Sequence, residues 1–293
     1  MPSRNQSILV LATRRSPLAR RQAELASEAF ADMPGAWWKK IKLLELTTTG
    51  DRQRDWSLAQ EGGKGLFTRE LEEALLSGRA HLAIHSAKDL PTALPEGLTF
   101  AGFLPRADVR DVLVRRADVK IPHRLATGSP RRRAQAQAWW PEVEWVEIRG
   151  NLDTRLKKIA AGEADATFLA AAGLKRLGIE KFPGLMFKPL PIAKMIPAAG
   201  QGAIALECRA GEAEQFHAVR CESTTRAVLI ERAALAALGG GCQMSSAAHF
   251  KNGQLHIYHE PKGRAVFSVV EKSTERAIAA AITAIGAWLK AKQ

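Results

Sequence analysis

The sequence predicts an α/β protein: two related α/β domains followed by a small α+β domain at the C-terminal end. Three observations carry that expectation. A strand, threonine, Ser-Pro, helix device occurs twice, as Leu11-Ala12-Thr13 running through Arg14-Arg15 into Ser16-Pro17, and as Leu125-Ala126-Thr127 running into Ser129-Pro130. Strand-like runs alternate with helical patterns along most of the chain, the order that builds parallel sheets with ligands at the strands' C-terminal ends. At 293 residues the chain also exceeds the usual size of one core.

From the N-terminus, Ile8 to Thr13 reads as a strand and Pro17 to Phe30 as a helix, with Leu18, Leu25 and Ala26 among its apolar positions. Ile41 to Thr47 is the next strand. Gly50 to Gly65 is polar, glycine-punctuated and without period, which predicts a long mobile loop of the kind that often forms a lid. Phe67, Leu71, Ala74 and Leu75 then take the spacing of an amphipathic helix. His81 to His85 is a short strand leading into Ser86-Ala87-Lys88-Asp89-Leu90-Pro91.

The domain changes after Phe103-Leu104-Pro105, because Val112 to Arg115 opens a new strand before the second device. There Ser129 is placed as an N-cap and Pro130 as the first helical residue, so free backbone N–H groups face the same spot as the side chains that follow. Those side chains are Arg131, Arg132 and Arg133. Three cations at a helix N-terminus oppose the helix dipole, a conflict that points to a bound polyanion. Two unrelated capped helices with solvated arginines are the alternative.

Val143, Trp145 and Ile148 belong to a strand ending at Arg149-Gly150, and Asn151 can cap a helix that carries Arg155 in its first turn. Asp165 to Ala170 and Ala203 to Cys208 are further strands, the latter preceded by a flexible turn at Ala198 to Gly202. A helix from about Thr224 to Leu238 stops at Gly239-Gly240-Gly241, and Cys242 follows. Strands at Leu255 to Tyr258 and Ala265 to Val270 precede a helix capped near Ser273, with Ile278, Ile282, Ile285 and Leu289 on its apolar face. The expected domains are residues 1–104 with 198–220, residues 105–197, and residues 221–293.

Hydrophobic residues at 46% and charged residues at 25% are those of a soluble globular protein. No apolar run approaches a membrane span and no signal-peptide region is present, so the expectation is a cytoplasmic protein without a membrane partner. Cys208, Cys221 and Cys242 are widely spaced and without a CxxC pair, which argues against a disulfide framework and a structural zinc site, and no metal is expected. A net charge of +13 suits nucleic acid, yet no docking motif for it is present. Arginines at strand ends and helix starts instead favour a small, multiply anionic substrate.

Eight segments, LATRRSPLA, GGKGLFTRELEEAL, HSAKDLPT, ATGSPRRRAQ, IRGNLDTRLKK, AAGLKRLG, AAGQGAIALECR and ERAALAALGGGCQ, occur in an order that resembles the porphobilinogen deaminase (hydroxymethylbilane synthase) family from about Ile8 to Gln243. The resemblance implies two periplasmic-binding-protein-like α/β domains plus the small α+β C-terminal domain. It also implies a monomeric transferase that joins four porphobilinogen molecules head to tail, with release of ammonia, into hydroxymethylbilane. The family's dipyrromethane cofactor, held by a thioether, falls on Cys242. Thiolate sulfur in basic surroundings suits that chemistry, while an ordinary apolar thiol is the plainer reading of the same residue.

The same resemblance makes Asp89 the catalytic aspartate, whose carboxylate would steady a cationic azafulvene; a surface aspartate paired to Lys88 is the alternative. It assigns Lys64, Ser86, Lys88, Thr127, Ser129, Arg131, Arg132 and Arg155 to the cofactor, and Arg14, Ser16, Arg149 and Arg176 to substrate. Arginine forks bind carboxylates in pairs and stay charged, consistent with that set. The chain departs from the pattern at Gly239, where an acid is common, at Met244-Ser245-Ser246, where a proline turn is common, and at Gln60, where lysine is frequent. A two-lobed anion-binding protein without catalysis, and a nucleic-acid binder, are the rival functions.

Overall fold

A computed structural model describes residues 8–31, 33, 35–52, 66–240 and 245–291. In chain order the elements begin with β1 (Ile8–Arg14), α1 (Pro17–Ala31), β2 (Lys40–Leu46), the single turn α2 (Thr49–Arg52), α3 (Arg69–Leu76), β3 (Leu82–Ser86) and β4 (Leu98–Phe103). Next come β5 (Asp111–Arg116), β6 (Arg124–Ala126), α4 (Pro130–Gln137), β7 (Glu144–Val146), α5 (Leu152–Ala160), β8 (Ala166–Ala170), α6 (Ala171–Arg176) and β9 (Leu185–Pro189). The chain closes with β10 (Ile204–Arg209), α7 (Glu222–Ala237), β11 (Ser246–Lys251), β12 (Gln254–His259), β13 (Gly263–Ser268) and α8 (Thr274–Lys290).

Two compact units result, one of Met1–Trp56, Gly63–Arg106 and Ala203–Thr225, the other containing Ala107–Gly202 and Arg226–Gln293. The first holds the sheet β2-β1-β3-β10-β4, the second the sheet β7-β6-β8-β5-β9. The two orders are the same pattern. In each, three parallel strands are followed by a fourth that runs antiparallel to them and a fifth that runs antiparallel to the fourth. Register repeats as well: Leu11 and Ala12 pair with Leu82 and Ala83, as Leu125 and Ala126 pair with Ala166 and Thr167. The duplicated device is therefore the start of two sheets of the same topology.

Alternation along β1 sends Leu9 and Leu11 to the face covered by α1, with Ala23, Ala26 and Phe30, and Ala12 to the face covered by α3, with Leu71, Ala74 and Leu75. Parallel strands buried on both faces read as near-continuous apolar runs, as ILVLAT does. In the second sheet Leu113, Leu125 and Phe168 pack with Ala136 of α4, whereas Val112, Val114 and Ala126 pack with Leu156 and Ile159 of α5. The second unit also contains the antiparallel sheet β11-β12-β13, whose inner face meets α7 and α8 through Ile230, Ala234, Ala277, Ala281 and Ile285. Among the described residues no helix is long and apolar enough to cross a membrane.

Several expectations need correction. Of the apolar positions named in α1, Ala26 is buried with Ala19, Gln22, Ala23 and Phe30, while Leu18 and Leu25 are half-buried. Phe67 precedes α3 rather than joining its face. Ile282 is 45% exposed, because the buried stripe of α8 is Ala277, Ala281 and Ile285, small residues that let the helix lie close to the sheet. The stretch read as a loop from Gly50 begins with a helical turn, whose base is closed by Gly50 N–H donating to Leu66 O at 2.8 Å. Residues 53–65, including Gln60 and Lys64, and residues 241–244, including Cys242 and Met244, lie outside the described residues.

Candidate functional site

In the first unit the assigned residues follow the C-terminal ends of parallel strands, where turns leave backbone donors unpaired. Arg14 ends β1, and Ser16 caps α1 by accepting from Ala19 N–H at 3.3 Å. The Arg14 guanidinium does not stand free. Its Nε donates to Asp51 Oδ2 at 3.2 Å and its Nη2 to Asp51 Oδ1 at 2.5 Å, and its Cζ lies 4.3 Å from the centre of the Phe67 ring. Burial works to raise the Asp51 pKa, but the paired bonds from Arg14 and those from Thr48 outweigh it and hold the carboxyl below its ordinary value.

After β3 the chain makes a short 3₁₀ turn, Ala87–Asp89. Ser86 enters this turn with its hydroxyl bonded to Gln22 of α1, at 2.9 Å to Nε2 and 3.2 Å to Oε1. Lys88 and Asp89 are exposed. Asp89 has no hydrogen-bond or ion-pair partner among the described residues, so its carboxylate is accessible to a ligand. Just before the turn, His85 and Glu207 are both buried with Nε2 and Oε2 2.9 Å apart, an ion-pair separation without hydrogen-bond alignment.

The second unit repeats the plan. Thr127 follows β6, and its hydroxyl accepts from Ser129 N–H at 3.1 Å. Ser129 caps α4 from Arg132 N–H at 3.4 Å, with Pro130 in the first turn. Arg131 and Arg132 are buried at 7% exposure each, and both meet Asp111, the first residue of β5. Asp111 is itself fully buried. The two buried cations at this helix start thus share one carboxylate of the same chain, which relieves part of the charge conflict seen in the sequence.

Burial alone would raise the Asp111 pKa; the two guanidiniums overcome it and hold the carboxyl far below its ordinary value of 3.8. A carboxylate depressed in the folded state contributes stability above its unfolded pKa and loses it as pH falls through the folded value. Thermal stability should therefore decline below about pH 4 in a way that Asp111→Asn does not share. Parallel acid profiles for the two proteins check this; coincident slopes would contradict it.

Arg149 follows β7 and pairs with Glu147 at 3.2 Å, while Asn151 caps α5 by accepting from Thr154 N–H at 2.9 Å. Arg155, in that first turn, donates from Nε to Gly150 O at 2.9 Å. Arg176 ends α6, the helix after β8, and donates to Gly202 O at 2.6 Å. Burial pushes its guanidinium down to about 10. The residues assigned to substrate are thus spread over both units, Arg14 and Ser16 in the first, Arg149 and Arg176 in the second.

Helix α7 precedes Cys242 in the chain. Gly239 has φ +75°, the left-handed value that ends helices and that glycine adopts without strain, so this departure from the family's acid coincides with a helix stop. At Gly240 a Cβ would fall 2.3 Å from Leu235 O, which excludes any larger residue. Cys242 comes two positions later. Cys208 is buried in β10 with its thiol pushed up to about 12 by burial, and it is unsuited to attack at neutral pH. Sequence reasoning missed Asp51, Asp111 and Gln22, each of which meets an assigned residue only through long-range packing.

Arginine forks, capped helix N-termini and an exposed carboxylate, all after parallel strands, mark an anion-receiving α/β enzyme. The family model described as "Porphobilinogen deaminase, dipyromethane cofactor binding domain" matches residues 9–217. The porphobilinogen deaminase of Sphingopyxis alaskensis is 44% identical over 82% of this chain and 79% of its own, and that of Caulobacter sp. is 47% identical over 71% and 67%. The chain belongs to the porphobilinogen deaminase family, transferases of tetrapyrrole biosynthesis, and carries that family's dipyrromethane cofactor-binding domain. Among solved structures, an ABC transporter from Parabacteroides distasonis is similar at 12% identity and a TM-score of 0.46, covering 79% of this chain and 74% of that one. Nothing further follows from so slight a likeness.

Proposed function

We propose that the protein joins four porphobilinogen molecules head to tail, with release of four ammonia molecules, on a dipyrromethane primer bound through a thioether to Cys242, and that one water then cleaves the chain from the primer as the linear tetrapyrrole hydroxymethylbilane. The observation that carries this reading is the placement of Asp89, an exposed carboxylate on a short turn after β3. It stands in a unit where Arg14 and Ser16 follow the neighbouring strand β1.

The residues suit the cofactor. Thr127, Ser129, Arg131 and Arg132 share one turn that is already ordered by Asp111, and Arg155 starts the next helix. Together with Ser86, Lys88 and Lys64 they would hold its carboxylates, with the guanidiniums binding in forks. When bound, the dipyrromethane supplies a pyrrole carbon to which new units add. Arg14, Ser16, Arg149 and Arg176 would orient the incoming porphobilinogen by its acetate and propionate. As the substrate's ammonium leaves as ammonia, positive charge develops on the azafulvene, and Asp89 stabilises it through the pyrrole N–H. Residues 221–293 would act as the domain that carries the primer, and the active form would be a cytoplasmic monomer without a nucleic-acid or membrane partner.

Incubation with porphobilinogen tests this. One ammonia should appear for each porphobilinogen consumed, with one four-ring linear product for every four. Binding of porphobilinogen without ammonia release would instead identify a non-catalytic anion-binding protein.

A further inference from the structure

The buried carboxylate of Asp111 bonds the arginine turn through both of its oxygens. Its Oδ1 accepts from Arg132 Nε at 3.0 Å and Nη2 at 2.7 Å, and its Oδ2 accepts from Arg131 Nη1 at 2.8 Å. Backbone carbonyls complete the frame: Arg131 Nη1 reaches Ile196 O and Arg132 Nη1 reaches Phe168 O, each at 2.8 Å. One turn along α4, Gln135 bonds both the N–H and the carbonyl of Ile196 at 2.9 Å. Arg131 Nε and Nη2 make no hydrogen bond among the described residues.

Two guanidiniums buried side by side without a counter-charge would be costly to desolvate, and a helix N-terminus adds to the cost. One carboxylate between them leaves a single net positive charge and fixes both forks. Asp111 reaches this place because β5 runs antiparallel to β8 with Asp111 opposite Ala170, the C-terminal end of the strand. The residue therefore sits at the same sheet edge as the turn it organises.

We propose that Asp111 is a positioning residue for cofactor binding, holding Arg131 and Arg132 in place before the cofactor's carboxylates arrive, so that the receptor is preformed. This rests on the reading that those two arginines bind the cofactor. Asp111 makes no contact with the ligand itself and acts through the two guanidiniums.

The test uses the full chain as expressed, with intact mass reporting the fraction that carries a two-pyrrole adduct, and steady-state kinetics normalised to that fraction. Asp111→Asn should lower the loaded fraction. Because that variant leaves two buried cations unbalanced and can fail to fold, circular dichroism reports its folded fraction, and the loaded share is taken over folded protein only. Asp111→Glu keeps the charge but moves the forks by about 1 Å, so its loaded molecules should lose kcat roughly ten- to a hundredfold with KM for porphobilinogen unchanged. A merely structural role would reduce the amount of folded protein and leave both constants alone. Arg131→Leu separates the two readings. If it loads normally, the assignment of the arginines fails; if it does not load while folded Asp111→Asn loads and turns over as the parent does, the positioning role of Asp111 is overturned.

Discussion

Asp89→Asn is expected to lower turnover of porphobilinogen by roughly 10²–10³-fold while leaving cofactor and substrate bound, the size of loss seen when one group that stabilises transition-state charge is removed. The amide keeps the shape and hydrogen-bonding capacity of the carboxylate but not its charge. Asp89 is exposed on the turn after β3, with no ion pair among the described residues to stand in for the lost charge. An interaction that matters mainly in the transition state should show in kcat rather than in binding. Asp89→Glu should retain more activity than the amide, because the charge survives while its position shifts. Near-normal turnover by Asp89→Asn would remove Asp89 from the catalytic role.

Arg132→Leu should produce the largest loss of stability. The substitution leaves Asp111 with one guanidinium where it had two and strands the carbonyl of Phe168. Breaking a buried ion pair by removing one partner costs about 3–5 kcal/mol. The melting midpoint should fall by roughly 2–4 °C for each kcal/mol lost, and the protein should be isolated without cofactor. The cause is the broken pair rather than mutual repulsion between neighbouring arginines, which Asp111 already relieves in part. A variant with an unchanged midpoint and a full complement of cofactor would show that neither the buried pair nor the cofactor depends on Arg132.

What could be read from the sequence was local. Ser129, Asn151 and Ser273 cap their helices as the capping pattern indicates, because an N-cap needs only a side-chain oxygen three residues before an amide. The duplicated Thr, Ser-Pro device led to the two equivalent sheets. Strands β4, β9 and β11 escaped notice: LTFAGF and SAAHFK mix small residues with bulky ones, and LMFKP is an edge strand with little burial, so none shows a clear period. The placement of β10 between β3 and β4, and of β5 between β8 and β9, depends on antiparallel pairing far along the chain.

The site shows the same division. Arginine, serine and threonine near strand ends could be found by type and spacing, but their partners could not. Asp111 stands at the head of an apolar run, where an aspartate reads as a turn residue; only the β5–β8 register brings it to the start of α4. Asp51 falls in a polar stretch without period, and Phe67 has the spacing of a helix face although its ring packs beneath Arg14. In each case the decisive contact joins residues distant in sequence, and hydrophobic period carries no record of it.

The central claim is that the chain is primed by a covalent dipyrromethane on Cys242. Intact-protein mass tests it most directly. The purified protein should be heavier than the chain by a two-pyrrole adduct, Cys208→Ser should keep that adduct, and Cys242→Ser should lack both the adduct and activity. Unmodified protein with full activity, or an adduct that survives in Cys242→Ser, would contradict the account.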